Sequence, residues 1–256
     1  MMGRVEALPS SLNELSKPVR HLFYAGEVRL LDLPMVAIVG SRKPSAYTRQ
    51  VTLRLAQALS ARGVIVVSGG AMGVDAVAHQ GAFPNTIAVL ANGLDRYYPK
   101  INEPLLRSIK EKALMLSEYP EGAIALKHSF VERNRIVVAL SLATVIAQAD
   151  LQSGSMQSAK IALELGRPLY VLPQRLGESD GTNLLLKEQK ATLIDDIEWF
   201  AQQFGEALHV KEDALLAFCK QDPRLEKCLE KFGNKVYEYE LEGRLSIEGA
   251  WVVPHG

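Results

Sequence analysis

The chain has 256 residues, 48% of them hydrophobic and 23% charged, with 29 Lys/Arg matched by 29 Asp/Glu. This composition suits a globular protein with one large domain and a small second one, and argues against a disordered or repetitive chain. No apolar run reaches the length of a membrane span, the start lacks a signal-peptide pattern, and the only cysteines, Cys219 and Cys228, suit reduced thiols, so a cytoplasmic location without membrane contact is expected.

The zero net charge hides an asymmetry. Residues 31–205 hold eighteen Lys/Arg against sixteen Asp/Glu, whereas 206–256 hold seven against ten. A polyanion should prefer the first block. Within it, the stretch between Asp32 and Asp75 carries five cations, Arg42, Lys43, Arg49, Arg54 and Arg62, and no acidic residue.

Residues 1–30 read as a short helical or irregular extension. Val36–Gly40 is then an apolar strand, and 46–62 place Tyr47, Val51, Leu55, Ala58 and Leu59 at helical spacing. Val64–Ser68 is a second strand, followed by a short helix from Met72 to Gly81. Thr86–Leu90 is a third strand, Asn92–Asn102 a polar loop, Glu103–Lys112 a helix and Leu114–Ser117 a strand. A helix over Phe130–Ser141, a strand over Ala143–Ala147 and a helix over Ser155–Leu165 follow. Leu169–Leu172 and a helix near Asn183–Gln189 close the block.

Strands apolar throughout are buried on both faces, and strand–helix alternation implies right-handed crossovers. The expected fold is α/β: a Rossmann-like, doubly wound, mostly parallel sheet with helices on both faces over 31–205. In such sheets ligands sit beyond the carboxyl ends of the strands. The tail, 206–256, has helical patterns at Lys211–Lys220 and Arg224–Phe232. Lys235–Tyr239 then leads to two short runs ending at Val253, which together suggest a small C-terminal winged-helix-like domain. Trp199 and Trp251 read as core.

Four motifs carry chemistry. Gly40-Ser41-Arg42, with Lys43 beside it, offers a turn, a hydroxyl and a planar fork for phosphate oxygens. A plain strand-to-helix turn is the other reading. Ser68-Gly69-Gly70-Ala71-Met72-Gly73 places successive N–H groups before a helix, the makings of an anion nest. It matches neither the dinucleotide fingerprint nor a Walker loop. Asp75 and His79 follow one turn apart and read more readily as an internal contact than as a catalytic pair. Ser153-Gly154-Ser155 repeats the small-residue turn before another helix, with Ser155 alternatively an N-cap. Lys127-His128-Ser129-Phe130-Val131-Glu132-Arg133-Asn134-Arg135 sets an aromatic among cations. A phosphate on Lys127 and a base on Phe130 would suit single-stranded nucleic acid, whereas the bland arrangement buries Phe130 and pairs Arg135 with an acid. Cys219, Cys228 and His209 do not match zinc spacing, no hydrolase motif occurs, and no carboxylate pair stands out, so neither metal nor cofactor is expected.

These residues resemble the DprA/Smf family of DNA-processing proteins. Val36–Arg42, Ser68–Asp75 with Ala78-His79, Tyr98-Pro99 with Asn102, and Ser117–Pro120 carry the resemblance. So do Phe130 with Arg133–Arg135, Ser153–Ser155 and Gly166–Pro168, all in the family's order over about 36–190. The resemblance implies a Rossmann-like core that binds single-stranded DNA; binding without chemistry is expected, with double-stranded DNA held more weakly because stacking needs exposed bases. It also implies self-association as a homodimer and a bacterial role in natural transformation, protecting incoming strands and helping to load the RecA recombinase. Two departures stand out. With only about thirty residues before the first expected strand, the family's helical N-terminal domain is expected to be absent or vestigial, and the second loop has Gly70 and Met72 where the family commonly has Leu and Arg. A nucleotide-processing enzyme of the lysine-decarboxylase-like Rossmann group is the alternative, but its Pro-Gly-Gly-x-Gly-Thr turn and nearby Glu are missing.

Overall fold

The computed structural model describes residues 2–206, 214–241 and 243–254. His209 and the start of the helix expected over Lys211–Lys220 lie outside the described residues. The chain divides into two compact units, Met1–Ala207 and Leu208–Gly256.

The first unit is built on nine strands: β1 (Met2–Arg4), β2 (Phe23–Gly26), β3 (Met35–Val39), β4 (Ile65–Ser68), β5 (Thr86–Leu90), β6 (Leu114–Ser117), β7 (Ala143–Ile146), β8 (Leu169–Val171) and β9 (Thr192–Leu193). They lie in the order β1-β2-β6-β5-β4-β3-β7-β8-β9. From β6 to β9 every pairing is parallel; β2 on β6 and β1 on β2 are antiparallel. The order runs outward from β3 in both directions. The topological switch point therefore lies between the carboxyl ends of β3 and β7, where a doubly wound sheet opens a crevice.

Every residue of β3 through β7 is buried, because both faces are covered. On one face Val36, Ile38, Val66 and Val145 pack with Leu55, Leu59 and Ala78, carried by α1 (Ala46–Ser60) and α2 (Val74–Ala82). Farther along that face Ala88, Leu90 and Met115 take Leu106 and Ile109 of α3 (Glu103–Lys112). On the other face Ala37, Val39, Val67 and Val89 meet Ile136, Val137 and Ala159, from α4 (Lys127–Ala139) and α5 (Gly154–Glu164). The helices α6 (Asp180–Lys187) and α7 (Ile197–Gln202) complete the unit.

Three expectations need correction. Residues 1–30 are not an extension outside the sheet. They add β1 and β2, and bury Val5, Leu12, Leu15, Val19 and Leu22 in the core. The strand-forming run at Phe23–Gly26 is too short to declare itself by alternation; it pairs because β6 would otherwise be an unprotected edge. The helix expected from Phe130 starts at Lys127. Trp199 and Trp251 are 49% and 53% exposed rather than core. On α7 it is Phe200, the next residue, that fills the interior. On the C-terminal hairpin it is Val252, because successive residues of a strand face opposite ways.

Among its described residues the second unit has three helices, α8 (Ala214–Gln221), α9 (Leu225–Phe232) and α10 (Lys235–Leu241), then a hairpin of β10 (Leu245–Glu248) with β11 (Trp251–Pro254). Leu215, Cys219, Cys228, Val236, Leu245 and Val252 form its own core.

Candidate nucleic-acid interface

Three turns leave the carboxyl ends of β3, β4 and β7, and their lining residues meet α4 in a cleft of about 670 Å³. Gly40, Ser41 and Arg42 form one wall, Ser153, Gly154 and Ser155 another, and Lys127, Phe130, Arg133 and Asn134 a third. The early start of α4 matters here. Lys127, Phe130 and Asn134 recur at i, i+3 and i+7 and so share one helix face.

The first turn is held from outside the cleft. Ser41 N–H donates to Gln148 O (2.8 Å), and Ser45 N–H to Gln148 Oε1 (2.9 Å). Gln148 thereby fastens the turn after β3 to the strand end beside it. Arg42 is exposed, and its guanidinium lies 5.6 Å from the Phe130 ring centroid. Tyr98, 53% exposed, brings its ring centroid to 5.8 Å from that of Phe130. Phe130 itself is half-buried, which leaves ring surface at the cleft. An aromatic pair beside a planar cation is a surface on which a nucleobase stacks.

At the third turn Ser153 caps α5, accepting from Met156 N–H (3.3 Å). Gly154 and Ser155 lie in the first turn of α5, where N–H groups have no intrahelical acceptor and the helix dipole favours an anion. Asn134 fixes this turn, donating from Nδ2 to Gly154 O (3.3 Å). Lys127, exposed at the start of α4, adds a second mobile cation. Asp75 and Asp150 also line the cleft and are its acidic groups, Asp75 nearly buried.

The second turn behaves otherwise. Ser68 is fully buried, and its hydroxyl donates to Ile38 O (2.6 Å). Gly73 takes φ +81 and starts α2, whose first N–H, on Val74, is already used by Ser41 O (3.1 Å). Ala71 N–H donates to Asp75 Oδ2 (3.3 Å). Asn102 Nδ2 donates to the carbonyls of Gly70 (3.0 Å) and Ala71 (2.9 Å). The nest expected at Ser68–Gly73 is thus partly occupied from within, its Ala71 N–H taken by Asp75, and of this turn Ala71 lines the cleft. Gly69 and Met72 reach only a small hollow beside Phe130; Ser68, Gly70 and Gly73 lie outside the cleft.

Arg133 belongs to this inner structure. It is 5% exposed, and its Nη1 donates to both Gly69 O and Val89 O. A Cβ on Gly69 would strike the guanidinium, so glycine there makes room for it. Burial pushes the Asp75 carboxyl up, and the Arg133 charge and the Ala71 N–H pull it back. Arginine does not give up its proton, so Arg133 stays a cation with Asp75 as its counter-charge. His79 is fully buried, its Nδ1 2.7 Å from Thr86 Oγ1, and burial lowers its pKa to about 3. It is a neutral core residue outside the cleft. Arg135 ties α4 to the end of β6 through both oxygens of Glu118 (2.7 and 2.6 Å).

Of the sequence-predicted site residues, the structure gathers Gly40, Ser41, Arg42, Lys127, Phe130, Arg133, Asn134, Ser153, Gly154 and Ser155 around one cleft, Arg133 nearly buried in its wall. Lys43 is exposed on the first turn but outside the cleft. Tyr98 and Gln148 were missed as site residues. Tyr98 stood in the sequence as an exposed-loop aromatic before proline, and Gln148 left no sequence signal.

Fold and cleft together define a Rossmann-like protein whose crevice at the switch point is cationic at the lip and aromatic on one wall. The family model described as DNA recombination-mediator protein A matches residues 3–205. The chain belongs to that family. It is 38% identical over 188 residues to the DNA processing protein DprA of Streptococcus pneumoniae, covering 72% of this chain and 66% of that one. A solved structure of DNA processing protein A from Helicobacter pylori, reported for its single-stranded DNA binding mode, superposes with a TM-score of 0.78 at 44% identity. It covers 79% of this chain and 94% of that chain. The solved DprA of Streptococcus pneumoniae gives a TM-score of 0.73 at 36% identity, over 79% of this chain and 72% of that one. The chain spans about half to two-thirds of the length of the first curated relatives it matches. Among the described residues no helix is long and apolar enough to cross a membrane.

Proposed function

We propose that the chain binds single-stranded DNA in the switch-point cleft and performs no chemistry on it. Arg42 and Lys127 neutralise phosphates and release counterions, the first turn of α5 receives a phosphate oxygen, and a base stacks on Phe130. The observation that carries this reading is the juxtaposition of Arg42 and Phe130 in the cleft, with Tyr98 against Phe130 in the adjoining hollow. Duplex DNA binds less well because its bases are already stacked. The inward engagement of Asp75 and the burial of His79 support binding over catalysis. The cellular role that fits is a cytoplasmic recombination mediator of natural transformation, acting as a homodimer, protecting incoming strands and passing them to RecA. The C-terminal unit, with three helices, a hairpin and an acidic balance, suits a winged-helix-like module for protein contact.

A gel-shift titration with oligo-dT and matched duplex, run beside a nucleotide-hydrolysis assay, tests the reading. Preferential binding of oligo-dT without hydrolysis is expected. Nucleotide turnover with no strand binding would replace it with the enzyme alternative.

A further inference from the structure

A second groove opens on the same sheet rim. It has a volume of about 580 Å³ and is lined by Ser45 and Tyr47 at the start of α1 and by Gln174, Arg175 and Glu178 in the turn after β8. The carboxyl ends of β3, β7 and β8 are adjacent in the sheet, so groove and cleft are neighbours across the switch point. The turn after β3 separates them: Ser41 and Arg42 face the cleft, and Ser45 and Tyr47 face the groove. Gln148 holds this partition. It takes the N–H groups of Ser41 (2.8 Å) and Ser45 (2.9 Å), and its Nε2 donates to Glu178 O (3.2 Å) on the far side.

The groove carries the same pairing of chemistry as the cleft. Tyr47 is 45% exposed. Arg175 has 87% of its side chain exposed and meets Glu178 only at 3.7 Å, an exposed pair that a phosphate can displace. Gln174 forms a fixed floor, donating to Ala147 O (2.7 Å) and Thr48 Oγ1 (3.0 Å). Lys43 is exposed on the partition and makes no ion pair among the described residues.

We propose that this groove is a second subsite for the same strand: a single-stranded DNA leaving the cleft crosses the partition at Lys43 and stacks a base on Tyr47. This rests on the cleft reading above. It also gives Lys43 a role that its position outside the cleft denied it.

The test is strand-length dependence in the full chain, measured by fluorescence anisotropy. The probes are the shortest oligo-dT that the unaltered protein binds and a strand of about 16 nucleotides. Tyr47→Ala should weaken the long strand by about fivefold or more, as loss of one stacked base requires, and leave the short one unchanged. Tyr47→Phe, which keeps the ring, should bind both as the unaltered protein does. If Tyr47→Ala leaves long-strand affinity intact while Phe130→Ala weakens both probes, the subsite is wrong and the cleft reading stands. If Arg42→Ala and Phe130→Ala affect neither probe, cleft and groove fall together.

Discussion

The turns after β3 and β4 both bear glycine, both follow strands with no exposed residue, and both lead into helices packed on the same face. The first opens to solvent with Arg42 at its tip. The second is sealed, its Ala71 N–H taken by Asp75 and its Gly69 carbonyl taken by Arg133. A row of backbone N–H groups binds whichever anion reaches it, and a carboxylate in the first turn of the next helix reaches it first. The second turn is therefore a support for the cleft, and in the proposed binding mode the phosphate contacts fall to the first turn, the start of α5 and α4.

Arg133 should show the largest difference. Arg133→Met leaves a buried carboxylate without its counter-charge and two backbone carbonyls without a donor. The unfolding free energy should fall by about 3–5 kcal/mol in urea titration. Arg42→Ala, at the exposed turn, should change it by less than about 0.5 kcal/mol. Equal effects of the two substitutions would erase the distinction between a sealed and an open turn.

The sealed turn should also be sensitive to acid through the helix that follows it. His79 has a folded pKa near 3, well below its ordinary 6.5, because burial and the Arg133 charge oppose the imidazolium. The unfolded chain takes up this proton first as pH falls. Stability is thus fully present above pH 6.5 and is lost between there and about 3. At pH 5 the loss should be about 2 kcal/mol relative to pH 7, reduced by Asp75, whose raised carboxyl pKa acts in the opposite sense. His79→Gln should flatten the urea midpoint between these pH values, and an unchanged pH slope would show that His79 does not carry it.

Phe130→Ala tests the open side. It should cost about 1–3 kcal/mol of single-strand affinity while leaving duplex affinity nearly unchanged. Equal losses on both substrates would mean that the ring packs the wall and stacks on nothing.

The parallel strands β3 to β8 were legible because they are runs of mostly apolar residues, a pattern that depends on burial, whereas the parallel edge strand β9, Thr192–Leu193, is exposed and was not. The antiparallel edge was not: β1 is Met2-Gly3-Arg4, three residues with nothing strand-like about them until β2 lies beside them. In the proposed site, residue types suited to meeting a polyanion, such as Arg42, Lys127 and Phe130, stood out because a cation or aromatic in a small-residue turn has few structural uses. Arg133 stood out for the same reason. Its guanidinium has the chemistry of a phosphate ligand, and only the carbonyls of Gly69 and Val89, 64 and 44 residues away in sequence, turn it inward. Gln148 is the converse, a neutral side chain whose importance comes wholly from the two turns it joins.

The smallest effect separates the two turns most finely, because it reads charge rather than affinity. Each phosphate contact on a single strand contributes about 0.7 to the slope of log affinity against log salt. Arg42→Ala should make that slope shallower by about 0.7, since its cation faces the cleft. Asp75→Asn should make it steeper by a similar amount. Asparagine keeps the shape of the side chain but removes the charge that cancels Arg133, so the cleft floor gains a cation and the Ala71 N–H loses its anionic partner. Asp75 would then be an internal substitute for phosphate, and its neutralisation converts the sealed turn toward the open one. A slope that stays constant in Asp75→Asn, with the protein still folded by circular dichroism, would mean that Arg133 is screened from the strand by distance and that the carboxylate is only a loop brace.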